Sequence, residues 1–346
     1  MSEDVLEWVR NTIELRPCAS GELLYEHMAS QSGRCLPIIY QPFDVENRGH
    51  WADRGSLFDY LHSTGGGRVL DFGPGDGWPS LILAPYVREV IGVEGSRHRV
   101  AVCQENAARL GIDDVRFEYV EPGAPLPFAE GEFDSITAAS SVEQTPDPFA
   151  TLAEFYRVLR TGGRLRMSYE ALSRYAGEPK QGAWLLDLAE GGERPGTPSS
   201  SLAGCRLMIS DNDIDGERVV HYGLDLELAP AEAEALLLPA GGELSFAVLD
   251  VDALEGLRPH MVDAVTCTLT HPSGRTLVRW LEEIGFDPVL PSYSGAWYVW
   301  RLYDVLGPER RPRDLQALDA YLSPLIEAFV RFAAPIETDP MITAVK

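Results

Sequence analysis

The feature that most constrains this chain is a glycine-rich turn between a short apolar run and a helical pattern. The apolar run Arg68–Phe72 leads directly into Gly73, Gly75 and Gly77. Because glycine lacks a Cβ, such a turn lets the backbone approach a ligand closely. Several classes of nucleotide binder use a turn of this kind, so the surrounding sequence has to decide among them.

Strand-like runs alternate with helical patterns around this turn. The predicted strands cover residues 68–72, 89–94, 115–119, 133–138 and 164–169. The helix before the last strand is well defined, since Asp147 can cap it, Pro148 suits its first position and 162–163 are glycines that stop it. Strands joined by helices pair in parallel through right-handed crossovers. The pattern therefore predicts an α/β fold with a doubly wound, mostly parallel sheet that binds ligands at the carboxyl ends of its strands.

The alternation stops after the fifth predicted strand. Glycine-, proline- and serine-rich loops and short β-like runs follow, and they favour an α+β subdomain inserted between strand five and the last helix-strand part. The expected organisation is a helical N-terminal segment over 1–64, the cofactor-binding half of the core over 65–172, the inserted subdomain over 173–270 and the remainder of the core over 271–346.

Two acidic residues end the first two predicted strands. Asp71 stands where a carboxylate can receive the ammonium of an amino-acid moiety, and Glu94 stands where it can accept hydrogen bonds from two ribose hydroxyls. Together with the glycine turn, they describe a site for a nucleoside joined to an amino acid.

Five motifs in this order resemble those of the class I S-adenosylmethionine-dependent methyltransferases. They are residues 69–77, Gly92-Val93-Glu94, Leu126-Pro127-Phe128, Phe133-Asp134 and residues 157–163. The resemblance covers about residues 65–170, with weaker support from residue 272 onward. It implies a Rossmann-like fold, S-adenosyl-L-methionine as cofactor and methyl transfer as the reaction. It also implies that Asp71, Gly73 and Gly75 line the methionine portion and that Glu94 holds the ribose.

Further cofactor-binding residues are expected around the same strand ends. These candidates are Phe72, Asp76, Gly95, Glu121 and Ser140. The family usually has an acidic residue before its Leu-Pro-Phe segment that recognises the adenine amino group. The ungapped match in this chain is Pro122, so the adjacent Glu121 is the candidate for that role.

The sequence does not single out a general base. The family often has a histidine after strand four, but this chain has Gln144 there, which cannot act as a base. The catalytic candidates are therefore Glu143, Tyr169, Glu170 and His50. Packing beside Trp51 is an alternative explanation for His50.

Charge and composition restrict the partners. With 53 acidic and 29 basic side chains the net charge is -24, which opposes binding to nucleic acid. No apolar run reaches the length of a membrane span, so we expect no membrane partner and a cytoplasmic location. Scattered cysteines and histidines predict no metal site. The half calcium loop at 211–216 is better explained as a polar hairpin turn, because Tyr222 occupies the position of its last ligand.

Three functions remain open: a small-molecule methyltransferase, a protein methyltransferase and a non-catalytic S-adenosylmethionine-binding protein. The insertion favours the first, because an added lid can enclose a small acceptor. A nicotinamide or flavin site is disfavoured, since Trp78 stands where the dinucleotide fingerprint has glycine or alanine. The aromatic run 297–303 could line a substrate cleft, fill core or form a homo-oligomer interface.

Overall fold

The computed structural model describes residues 2–23, 40–172, 181–188, 204–239 and 241–346. The chain forms two compact units. The smaller unit combines Met1–Ala29 with Leu172–His271, and the larger combines Ser30–Ala171 with Pro272–Lys346. The expected organisation kept residues 1–64 as one segment, whereas the structure divides that segment between the two units.

Helices and strands alternate along much of the described chain. The helices are α1 (Ser2–Thr12), α2 (Ser20–Leu23), α3 (Arg48–Thr64), α4 (Ser80–Leu83), α5 (Arg97–Leu110), α6 (Pro148–Val158), α7 (Pro230–Leu237), α8 (Val251–Leu257), α9 (Gly274–Ile284), α10 (Gly295–Val305) and α11 (Leu315–Phe329). The strands are β1 (Arg16–Pro17), β2 (Arg68–Phe72), β3 (Glu89–Glu94), β4 (Val115–Tyr119), β5 (Phe133–Ala139), β6 (Leu159–Ser168), β7 (Gly182–Asp187), β8 (Cys205–Asp213), β9 (Arg218–Leu226), β10 (Met261–Thr270), β11 (Val289–Ser292) and β12 (Met341–Val345).

The larger unit contains a seven-stranded sheet in the order β11-β12-β6-β5-β2-β3-β4. Strands β4, β3, β2, β5 and β6 pair in parallel, and β12 is antiparallel to both β6 and β11. This topology confirms the predicted doubly wound, mostly parallel sheet. The carboxyl ends of β2, β3, β5 and β6 lie along one border of the sheet, which we call the carboxyl edge.

Opposite faces of this sheet are covered in different ways. Strand residues such as Leu70, Ile136 and Leu165 join α6 and α9 in a fully buried apolar core. On the α3 side the core includes an ion pair, in which Arg166 Nε donates to Asp59 Oδ1 at 2.8 Å with both side chains at most 1% exposed. A charged pair so completely removed from water is stable only when its remaining polar atoms are also bonded.

The smaller unit is built on a five-stranded sheet in the order β1-β10-β9-β8-β7. All its pairings are antiparallel except β1 with β10. Residues from α1, α7 and α8 cover one face of it with a buried apolar cluster. The turn between β8 and β9 is the polar hairpin expected at 211–216, and Asp213 pairs there with Arg218 at 2.7 Å.

None of the helices in the described ranges combines the length and the apolar character that a bilayer span requires.

Candidate functional site

The glycine-rich turn lies at the carboxyl edge, directly after β2. Its glycines adopt positive φ angles of 72° at Gly73, 65° at Gly75 and 105° at Gly77, a region that other residues rarely enter. A Cβ built on Gly73 would lie 2.5 Å from Ser141 Cβ. Ser141 Oγ also donates to the carbonyl of Phe72 at 2.6 Å, so the turn is held close to the end of β5.

Glu94 ends β3 beside this turn and is 4% exposed. Its Oε2 accepts from the Gly75 amide at 3.0 Å, and its Oε1 accepts from the Gly95 amide at 2.8 Å. Burial raises the pKa of the Glu94 carboxyl, and the backbone hydrogen bonds partly offset that rise. The backbone amide of Ser96 also donates to this carboxylate, so about one of its four acceptor positions is left for a hydroxyl. The structure thus brings Glu94, Gly75 and Gly95 together.

Asp71 is the residue before the last of β2 and is fully buried. Its Oδ2 accepts from the amide of Ser80 at 3.0 Å and from the hydroxyl of Ser80 at 2.5 Å, and its Oδ1 accepts from Thr137 Oγ1 at 3.1 Å. Burial raises the pKa of Asp71 to about 6 in spite of these hydrogen bonds. The carboxylate therefore ties the turn to the start of α4 and to β5, and its role as the ligand of an ammonium stays a prediction.

The raised pKa of Asp71 gives stability a defined pH dependence. A carboxyl whose folded pKa is about 6 against an ordinary 3.8 binds its proton more tightly in the folded state. Its contribution is fully present below the unfolded pKa and is lost as pH rises through about 6. We expect the wild type to lose about 2–3 kcal/mol between pH 4 and 7 that Asp71→Asn does not lose. Urea unfolding across this range measures it, and parallel curves for the two proteins would contradict it.

Side chains of α5 donate hydrogen bonds to the backbone carbonyls of the glycine-rich turn. Asn106 Nδ2 donates to the carbonyl of Asp76 at 2.8 Å, and the Cys103 thiol donates to the carbonyl of Gly75 at 3.3 Å. Asp76 itself is 6% exposed. Neither Asn106 nor Cys103 was expected at the site, because a helix pattern indicates which face is buried but not which turn it contacts.

A second group of predicted residues gathers where β5 and β6 end. Ser140 is exposed with a positive φ of 51°, and its amide donates to the carbonyl of Ser168 at 3.1 Å. Glu143 is 1% exposed, and its Oε1 accepts from the amide of Glu170 at 2.8 Å. The Glu143 carboxylate thus positions the backbone at the end of β6, while the Glu170 side chain is only partly buried.

The two other catalytic candidates are held by structural contacts. Tyr169 is 3% exposed in the apolar core, and a Cβ built on Gly274 at the start of α9 would meet its hydroxyl. His50 is 4% exposed, and its Nδ1 accepts from the amide of Asp44 at 2.9 Å. That hydrogen bond assigns the proton of the neutral ring to Nε2, so neither ring nitrogen is available to accept a proton in this arrangement. Nε2 is buried and has no hydrogen-bond partner among the described residues.

The remaining cofactor candidates occupy less defined positions. Phe72 is partly buried and packs edge-to-face on Phe155 with ring centroids 5.0 Å apart. Glu121 is exposed just beyond the end of β4. The assignment of Glu121 to the adenine stays a prediction.

Comparison with known proteins gives matches centred on this half of the larger unit. A family model described as a methyltransferase domain matches residues 70–167. An uncharacterized methyltransferase, YcgJ of Bacillus subtilis strain 168, is 30% identical over 161 residues, which are 46% of this chain and 62% of that protein.

Two further proteins are similar to this chain at lower sequence identity. The 27-O-demethylrifamycin SV methyltransferase of Amycolatopsis mediterranei strain S699 is 29% identical over 135 residues, covering 35% of this chain and 49% of that protein. The solved structure of the CcbJ methyltransferase from Streptomyces caelestis has 14% identity and a TM-score of 0.44, covering 84% of this chain and 87% of that one. The chain thus spans less than two thirds of the length of either curated relative.

Proposed function

We infer, from the membership of residues 70–167 in the class I S-adenosylmethionine-dependent methyltransferase family, that the chain binds S-adenosyl-L-methionine and transfers its methyl group to a small-molecule acceptor. One observation supports this most directly. The buried Glu94 carboxylate lies beside the glycine-rich turn and accepts from the amides of Gly75, Gly95 and Ser96, and its remaining lone pair can accept a ribose hydroxyl.

The residues at the carboxyl edge fit this cofactor. A side chain at Gly73 would be forced against Ser141, so the turn stays bare and its backbone can lie against the methionine portion. When bound, the cofactor supplies a methyl group that is already activated on a sulfonium. The work left to the chain is to hold the acceptor in line with that methyl group and to exclude water.

A base is needed only for an acceptor that carries a proton on the methylated atom. Among the four predicted candidates, Tyr169 and His50 are held by structural contacts, and Glu143 is fixed on the amide of Glu170. Glu170 is the candidate whose side chain is partly exposed at the end of β6. We therefore assign proton acceptance to Glu170, with Glu143 as the residue that positions it.

The choice of a small acceptor is supported by a relative, because the Amycolatopsis protein is named for a small molecule. The net charge of -24 opposes approach to a polyanion and so argues only against nucleic acid as the acceptor. A protein acceptor and cofactor binding without catalysis remain the alternatives. The roles of Glu121, of residues 173–270 as a lid, and of a cytoplasmic location stay predictions.

The proposal is tested first by cofactor binding. In titration calorimetry, Glu94→Ala should weaken S-adenosyl-L-methionine and its demethylated product by about 1.5–3 kcal/mol, since charged hydrogen bonds are lost. The control Glu309→Ala removes an exposed carboxylate from the loop after α10 and should leave the affinity unchanged. Equal affinity in Glu94→Ala and wild type would refute the site.

Turnover is tested separately with methyl-labelled cofactor and fractionated cell extract. Label in the small-molecule fraction supports the proposal, label in protein supports the protein alternative, and no label supports a non-catalytic role. In the same assay Glu170→Gln should keep the cofactor affinity and slow the transfer. Unchanged transfer would remove Glu170 as the base.

A further inference from the structure

His50 carries a buried hydrogen-bond donor that has no partner among the described residues. Its side chain is 4% exposed, and its Nδ1 accepts from the amide of Asp44 at 2.9 Å. The proton of the neutral ring is therefore on Nε2, and within the part of the chain that the structure describes nothing accepts from this N–H. Buried polar groups in folded proteins are nearly always bonded, so this donor requires a ligand or an ordered water molecule.

The position of His50 along α3 brings it to the level of the glycine-rich turn. The helix ends at its cap Gly65, close to the start of β2, and Leu57 near its middle packs with Val69 of that strand. The helix therefore runs along the sheet in the direction opposite to β2. A rise of about 1.5 Å per residue puts His50 about 22 Å from Gly65, whereas β2 spans only about 13 Å. His50 thus lies at the carboxyl edge, from which the turn 73–77 projects.

The face of α3 that carries His50 is directed toward α4. Positions 50, 54 and 57 follow helical spacing, so their side chains share one face. Arg54 Nη1 donates to the hydroxyl of Tyr86, which lies just after α4, at 2.9 Å. Leu57 belongs to the same buried cluster as Leu83 of α4. His50 is the member of this face nearest the carboxyl edge, where α4 follows the glycine-rich turn.

The loop that bonds Nδ1 is attached to α4 as well. The Tyr40 hydroxyl donates to the carbonyl of Leu81 at 2.6 Å, so residues 40–44 connect α4 with the first turn of α3. The two nitrogens of an imidazole point in nearly opposite directions, and Nε2 therefore points away from this loop. Because the ring is held by Asp44, the direction of the Nε2 donor is fixed before a ligand binds, which lowers the entropic cost of binding.

The cofactor carries a charged group that neither Asp71 nor Glu94 can bind. Its methionine portion has a carboxylate beside the ammonium, and ionised carboxylates accept hydrogen bonds but cannot donate them. The net charge of -24 also opposes an anionic ligand, so N–H donors have to compensate for it at the site. A buried N–H at the carboxyl edge has the chemistry that this carboxylate needs.

We propose that His50 donates from Nε2 to the carboxylate of the methionine portion of S-adenosyl-L-methionine. The inference rests on the proposed function and adds a positioning residue to its site. His50 acts as a neutral imidazole whose tautomer is set by the Asp44 amide. The proton stays on Nε2, so this role differs from that of a general base: His50 holds the end of the cofactor opposite to the adenine.

Titration calorimetry of the full chain with two ligands tests the proposal. One ligand is the demethylated product, and the other is its decarboxylated analogue, which ends in an aminopropyl group. The wild type should bind the product about tenfold or more tightly than the analogue. His50→Asn keeps an acceptor for the Asp44 amide but does not reach the position of Nε2, and His50→Phe keeps a planar ring without a donor. Both variants should bind the product about tenfold or more weakly and change the affinity for the analogue by less than about threefold.

The matched control is His62→Phe, near the other end of the same helix, where Nε2 is already bonded to Ser323 Oγ at 2.9 Å. This variant should bind both ligands as the wild type does.

Three results would overturn the inference. One is a wild type that binds the two ligands equally, which needs no variant to fold. Another is a His50 variant with the wild-type circular dichroism that binds the product normally, since Nε2 is then bonded to water. The third is such a variant that loses affinity for both ligands alike, which would make His50 a purely structural residue. If the wild type binds neither ligand, the proposed function fails and this inference with it. In the first three cases the cofactor site stands without the contact.

Discussion

Replacing Gly73 by alanine should weaken S-adenosyl-L-methionine binding by more than about 100-fold, or about 2.8 kcal/mol. The new Cβ would lie 2.5 Å from Ser141 Cβ while the backbone is at a φ of 72°. Either Ser141 moves and releases the Phe72 carbonyl, or the turn moves and no longer fits the ligand. Displacement of a ligand-contacting segment by about 1 Å is enough for an effect of this size. Titration calorimetry on the purified variant measures it.

Gly111→Ala is the matched control for this substitution. Gly111 has a φ of 68°, almost the angle of Gly73, but a Cβ there would meet nothing within 4 Å. The control should lose about 1 kcal/mol of stability and keep its cofactor affinity. If both variants bind alike, contact at Gly73 has no part in the site.

Arg166→Met should lower the free energy of unfolding by about 3–5 kcal/mol. Its guanidinium bonds both oxygens of Asp59, and Nη1 also donates to Ser292 Oγ at 2.6 Å and to Thr343 Oγ1 at 3.1 Å. Methionine fills a similar volume but leaves the Asp59 carboxylate, which is 1% exposed, without its counter-charge. Urea denaturation followed by circular dichroism measures the loss.

The comparison for this variant is an exposed arginine. Arg331 pairs with Glu327 at 2.7 Å on the surface, so Arg331→Met should cost less than about 0.5 kcal/mol. Arg166→Met combined with Asp59→Leu should recover part of the loss, because the unpaired buried charge is then gone. If Arg166→Met and Arg331→Met lowered the free energy of unfolding by similar amounts, burial of the Arg166–Asp59 pair would not increase the cost of breaking it.

The strands of the parallel sheet were largely predictable from sequence. The intervals expected for β2, β3 and β4 match the structure, because β2 and β3 are short, buried apolar runs and the edge strand β4 alternates apolar and polar residues. The fifth strand was expected at 164–169 but begins at Leu159. Residues 162–163 are expected to stop the helix, whereas α6 ends at Val158 and these glycines lie in the register shift of β6 between Leu159 and Arg164. Continuous pairing with β5 begins at Arg164, where the strand is expected, so the difference is confined to the irregular start of β6.

The C-terminal elements were predictable only in part. No strand was expected at Val289–Ser292, which is four residues long and contains a proline, and no helix was expected at α11, which has Pro324 inside. Both are held by tertiary contacts that a single sequence does not display.

Within the site, sequence identified the carboxylates but not their partners. Glu94 was expected beside the glycine turn, and its position follows from the parallel pairing of β2 with β3. The partners of Asp71 come from α4 and β5, and the amide on His50 comes from Asp44 in an irregular loop. These contacts join segments that are far apart in the sequence, and the pattern of one segment does not indicate which residue of another segment it will meet.

The way the two units share the chain has a consequence for synthesis on the ribosome. The smaller unit needs both Met1–Ala29 and Leu172–His271, so its first segment has to wait while the ribosome makes more than half of the larger unit. The larger unit waits in turn, because β12 is placed between β6 and β11 and is made last. Neither unit can close its sheet as it emerges. Both therefore fold from distant segments, which is the slow route for a nascent chain.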